Sequence, residues 1–177
     1  MKEAIERVGE VDREVGRTLF EGIALQVIGQ QISSSAFSSI RHRLGDSLLS
    51  PEAALSLSKE HYRFAGISLA KAECILDIAK RFQNGYFDDI ASLTDDEVRE
   101  RLIDMKGIGS WTADMVLLFA LGREDVFTIK DAGIVSGLKK LYGFKTVSKE
   151  RGERLGKRYS PYGSMASLIL WEVAKWK

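Results

Sequence analysis

The chain has 177 residues, 45% of them hydrophobic and 29% charged, with a formal net charge of +1. That is enough chain for one sizeable core, or for two small helical subdomains flanking a cleft, and no run approaches the roughly 18 consecutive apolar residues of a membrane helix. Residues 1–17 mix acids and bases without an apolar signal core, so a soluble cytoplasmic protein with no membrane partner is expected. A single cysteine, Cys74, excludes an internal disulfide, and two isolated histidines, His42 and His61, offer no zinc-ligand cluster.

With two prolines and apolar residues at helical spacing almost throughout, the pattern predicts an all-α fold of eight to ten short helices without strands. Ser50 before Pro51 marks a helix start, an N-cap followed by proline at the first helical position. From Leu69 to Phe82, Cys74, Ile75, Ile78, Ala79 and Phe82 form one stripe, which puts the cysteine in the core. Thr94 with Glu97 makes a capping box. A helix is predicted from Thr112 to Leu121, and another from near Ala132 to a left-handed glycine cap at Gly143, with Asp131 at its entrance. Ser160 before Pro161 repeats the first start signal. No repeat, low-complexity tract or linker divides residues 1–177, which read as one functional unit. Lysines and arginines crowd the last third, from Lys139 to Arg158, while 88–100 is acid-rich; a basic binding face and ordinary solvated helix surfaces both fit that distribution.

The segment at about 102–113, Leu-Ile-Asp-Met-Lys-Gly-Ile-Gly-Ser-Trp-Thr-Ala, joins two predicted helices through Gly107 and Gly109. Two glycines one residue apart allow a sharp turn and close approach of another molecule, next to the amide donors of the following helix. Such an end attracts anions, and a DNA phosphate is one of them. Plain connection is the competing reading of any G-x-G turn.

The full string resembles the hairpin of the helix-hairpin-helix (HhH-GPD) DNA glycosylase superfamily. Gly122 to Asp131 resembles the loop carrying that superfamily's essential aspartate, Ile28-Gly29-Gln30-Gln31-Ile32-Ser33 its DNA-inserting turn, and Ser167 to Trp171 its final helix. The branch it resembles most is the alkylation-repair type of 3-methyladenine DNA glycosylase II. The resemblance implies a compact helical HhH-GPD fold, damaged double-stranded DNA as partner, nucleoid association in a bacterium or archaeon, and a monomer. Without it, Asp131 is an ordinary N-cap.

A glycosylase rotates the target nucleotide out of the duplex before cleaving the bond between base and sugar. The resemblance makes Gln31 the inserted side chain with Gln30 beside it, and Lys106, Gly107, Ile108, Gly109, Ser110 and Thr112 the DNA-backbone contacts. Asp131 becomes the catalytic carboxylate that stabilises positive charge developing on the sugar. Lyase-type relatives carry a lysine at the position of Trp111, so the resemblance implies a monofunctional hydrolase; Lys130 adjoins Asp131 but does not match that position. Trp111 and Trp171 match pocket aromatics that stack on a cationic alkylated base, although both also lie on apolar helical stripes that suit a core.

Met115 stands where the alkylation branch commonly has a tyrosine, and the N-terminal mixed domain and iron–sulfur cysteines of longer relatives have no counterpart. No cofactor is required; a sodium or potassium ion is expected at the hairpin through the carbonyls of Ile103, Met105 and Ile108. Two other readings stay open: a glycosylase for oxidised guanine or uracil, and a non-catalytic helix-hairpin-helix DNA-binding module.

Overall fold

The computed structural model describes residues 1–13, 16 and 18–177, and among them it has eleven α-helices and no strand. In chain order these are α1 Lys2–Val8, α2 Leu19–Gly29, α3 Ser34–Leu44, α4 Pro51–Ser56, α5 Lys59–Phe64, α6 Leu69–Gln83, α7 Asp95–Ile103, α8 Ser110–Phe119, α9 Ala132–Tyr142, α10 Lys149–Tyr159 and α11 Gly163–Ala174. The expectation of eight to ten helices falls short because α1, α4 and α5 have only six or seven residues each, too few to show an apolar repeat.

Local sequence sets most of the starts. Thr18, Ser33, Ser50, Ser58, Ser68, Thr94, Asp131 and Ser148 each accept a backbone N–H of the first turn at the head of their helices, each worth about 1 kcal/mol. The Thr94–Glu97 capping box forms as expected, and α9 ends at Gly143 with φ 67°. The Ser160 signal is corrected. Ser160 closes α10, the Ser160–Pro161 peptide is cis, and α11 begins only at Gly163. Its start is held by a distant side chain, since Gly163 N donates to Asp125 Oδ1 at 3.0 Å and Ser160 Oγ to Asp125 Oδ2 at 2.5 Å.

The chain divides into two compact units, Val15–Leu121 and a discontinuous one made of Met1–Glu14 with Gly122–Lys177. In the first, α2 packs on α6 and α8, and α7 on α8. Ile23, Val27 and Ile28 of α2 are buried, as are Ile75 and Ile78 of α6 and Val116 to Leu118 of α8. Cys74 lies in the core, as its stripe predicts. Arg99 of α7 donates to Asp114 of α8 at 2.8 Å and clasps the two arms of the turn between them.

In the second unit α9 packs along α11, and α1 covers another part of α11. Ile134, Leu138, Leu155 and Leu170 form its centre. Two small residues one turn apart permit the α9–α11 approach. A Cβ at Gly137 would stand 2.2 Å from the Leu170 carbonyl oxygen, and one at Gly133 would stand 2.5 Å from the Trp171 ring. Any larger residue there would force the helices apart.

Candidate functional site

In the discontinuous unit, residues 122–131 cross from α8 to α9 without regular structure, and their backbone groups are bonded to neighbours. Arg13 donates to the carbonyls of Gly122 and Arg123. Ser164 Oγ donates to Arg123 O and accepts from Val126 N, while Ser167 Oγ donates to Val126 O. The loop is thus fastened to the first half of α11 and delivers Asp131 to a fixed place.

Asp131 is 8% exposed, and one oxygen, Oδ1, accepts two N–H groups: Ile134 N of the first turn of α9 at 2.8 Å and Trp171 Nε1 of α11 at 2.7 Å. Asp131 is therefore the N-cap of α9, as a local reading expects, and is also gripped by a second side chain from α11. A charge held this way in a poorly hydrated place acts strongly on a cation forming nearby, without reorganisation when the cation appears. Trp171, expected as a stacking ring, uses the N–H on its edge to position the carboxylate. Asp125, earlier in the loop, has one oxygen engaged by Ser160 Oγ at the end of α10 and the other by Gly163 N at the start of α11. Lys130 is exposed.

In the continuous unit, the hairpin is the turn between α7 and α8. Gly107 has φ 96°, a left-handed conformation that suits glycine, and a Cβ on it would approach Cys74 Sγ to 3.1 Å. Burial pushes the Cys74 thiol up to about 11, so it is an apolar seat for the turn. Met105 and Ile108 are buried anchors, whereas Lys106, Gly107 and Gly109 are exposed. A Cβ at Gly109 would meet no protein atom within 4 Å, and no side chain caps α8. Ser110 and Trp111 are half-buried at the start of α8, and Met115 is 2% exposed in its middle. Of the carbonyls expected to face a cation, that of Met105 accepts Ile108 N at 3.1 Å, which closes the turn; Ile103 is exposed at the end of α7.

The two adjacent glutamines separate. Gln31 is exposed at φ 54°, an uncommon conformation for a residue with a side chain. Gln30 turns inward, and its Nε2 donates to Gly107 O and to Thr112 Oγ1, each at 2.9 Å. Thr112, expected at the DNA, is buried and accepts that bond. The sequence reading missed Lys71, whose Nζ donates to Ile28 O and Gln30 O at 2.8 and 2.6 Å, and also the Arg99–Asp114 clasp and Gly133. Gly133 and Gly137, spaced by four, were the visible signal of a close helix crossing. Nothing local marked Lys71. Among the described residues, no group of three or more acidic, histidine or cysteine side chains could hold a metal, and no helix is long and apolar enough to cross a membrane.

The model of the HhH-GPD superfamily, base excision DNA repair proteins, matches residues 25–161, a span that contains the hairpin, Gln31 and Asp131. DNA-3-methyladenine glycosylase 1 of Schizosaccharomyces pombe is 28% identical over 165 residues, covering 88% of this chain and 72% of the relative. YfjP of Bacillus subtilis is 31% identical over 124 residues, 68% of this chain, and the chain spans 43% of that protein's length. Among solved structures, 3-methyladenine DNA glycosylase of Schizosaccharomyces pombe in complex with abasic DNA superimposes with a TM-score of 0.89 at 28% identity, over 99% of this chain and 91% of the other. The all-α helix-hairpin-helix arrangement read from the sequence is the arrangement that these proteins share. The chain belongs to the HhH-GPD superfamily of base excision DNA repair proteins.

Proposed function

We propose that this chain is a monofunctional DNA glycosylase that removes alkylated bases of the 3-methyladenine type from duplex DNA by hydrolysis and leaves an abasic site. The observation that carries the reading is Asp131, a carboxylate 8% exposed whose Oδ1 is fixed by Ile134 N and Trp171 Nε1. The hairpin holds a phosphate through the backbone of 107–110, with Lys106 beside it. Gln31 enters the duplex in place of the extruded nucleotide, and its left-handed backbone is the strain expected of a residue held for use. Indole rings are the side chains suited to stack on the extruded cationic base, and Trp171, bonded to Asp131, is the one held at the carboxylate.

The bond from C1′ to the base nitrogen breaks with its electron pair leaving on the base, which departs neutral because it was already cationic. Positive charge left on the sugar faces the Asp131 carboxylate. Water adds to C1′ and gives a proton to solvent. Trp111 supplies no amine, so no Schiff base forms and the strand stays whole. A sodium or potassium ion at the carbonyls of Ile103, Met105 and Ile108 would hold the hairpin in shape, for which neutral oxygens suit a monovalent ion. A DNA substrate would keep the protein at the nucleoid.

The test is release of free methylated purines from alkylated duplex DNA by the purified chain, run beside deaminated and oxidised duplexes, with the strand inspected for breaks and with borohydride present. Free alkylpurine, intact strand and no trapped adduct are expected. Excision confined to oxidised or deaminated bases would overturn the substrate class, and a trapped covalent adduct would overturn the hydrolytic mechanism.

A further inference from the structure

The end of α2 and the start of α6 meet at Gln30. Lys71 places its ammonium on the carbonyls of Ile28 and Gln30, at the negative end of α2, where a cation is favoured. Gln30 reaches the other way, its amide donating to Gly107 O and Thr112 Oγ1 in and behind the hairpin. One turn along α6 from Lys71, Cys74 lies under Gly107. Residues three apart share a helix face, so α6 offers one support to the 29–31 turn and another to the hairpin, and Gln30 ties the two together. Both amide donors of Gln30 are engaged inside the protein, while Gln31, the next residue, stands exposed.

We infer that Gln30 and Lys71 are positioning residues that hold the Gln31 turn and the hairpin at one spacing, so that Gln31 enters the duplex at a set distance from the phosphate gripped by 107–110. The inference rests on the reading of Gln31 as the inserted residue. Gln30 then is not a second reading head for the orphaned base, although its neighbour is chemically identical. A loose support would matter most where insertion must work hardest, against a fully paired and stacked lesion, and least where the lesion is unpaired.

The experiment compares single-turnover excision of 7-methylguanine, a cationic purine that still pairs with cytosine, from a paired duplex and from one in which the lesion lies opposite a gap, for Gln30→Ala, Gln30→Glu, Lys71→Met, Lys71→Arg and Gln31→Ala. Gln30→Ala and Lys71→Met are expected to slow the paired duplex about tenfold or more and the gapped one less than about threefold, with Lys71→Arg close to the parent. A readout independent of excision is the fluorescence of 2-aminopurine placed opposite a tetrahydrofuran abasic site, which should rise on binding of the parent and much less for the same two variants. If Gln30 and Lys71 variants slow both duplexes equally, or keep the full fluorescence rise while Gln31→Ala loses it, the bracing role is overturned. If Gln31→Ala itself leaves both the rate ratio and the fluorescence unchanged, the inserted-residue reading fails and the inference with it.

Discussion

Helices α8 and α9 have ten and eleven residues and each follows a turn, yet α9 begins behind Asp131, whose carboxylate accepts its first-turn amide, whereas α8 begins behind Gly109 with no side-chain cap. Eight helices, α9 included, show how readily this chain places serine, threonine or aspartate at a helix head. The difference lies in where the anion comes from. At α9 the protein supplies it, as the Asp131 carboxylate. At α8 no side chain does, and under the proposed function a DNA phosphate completes that end.

The sharpest way to break that contrast is Asp131→Asn, because asparagine caps nearly as well as aspartate but carries no charge. Excision should fall about a hundredfold or more while melting temperature and DNA affinity barely move; retained excision would reduce Asp131 to a cap. Next is the glycine pair of the hairpin. Gly107→Ala meets Cys74 at a left-handed backbone and should cost about 1–2 kcal/mol of stability together with about tenfold in affinity for duplex DNA. Gly109→Ala meets no protein atom within 4 Å, so it should cost affinity severalfold with no change in melting temperature, as measured by fluorescence anisotropy beside thermal unfolding. A smaller effect is expected from Trp171→Phe, which keeps a ring and removes the N–H on Asp131 Oδ1: turnover should drop about fivefold at unchanged affinity. Smallest is Lys106→Ala, expected to lower the salt-dependence slope of binding by about one ion on every sequence alike.

Much of this was legible before any coordinates. The capping box, the Ser50–Pro51 start and the span from Asp131 to Gly143 are short-range signals, since each depends on residues within a helix turn or two. The hairpin string is just as local. What stayed hidden depends on pairs far apart in sequence. Trp171 and Asp131 are linked across forty positions, so the apolar stripe around Trp171 read as core or as stacking surface and gave no sign of its hydrogen bond. Gln30 and Gln31 are the same chemistry, and only the left-handed turn between them sends one inward and the other out. Ser160–Pro161 carried a valid start signal that Asp125 made unnecessary by capping the helix from thirty-eight residues away. Two helical subdomains were expected, but where the chain divides was illegible, because the short α1 carries no apolar repeat and its partner α11 lies far along the chain.

That division has a consequence for the order in which the protein acquires its abilities. A chain is made from its N-terminus, and Val15–Leu121, with its hairpin and the Gln31 turn, is complete before any of Gly122–Lys177 has been synthesised. The partner of the Asp131 carboxylate, Trp171, arrives forty positions after it. Under the proposed function, grip on DNA is encoded early and the capacity to cut the glycosidic bond late, so a ribosome that stalls between the two releases a fragment that has the hairpin but no α11 to hold its carboxylate.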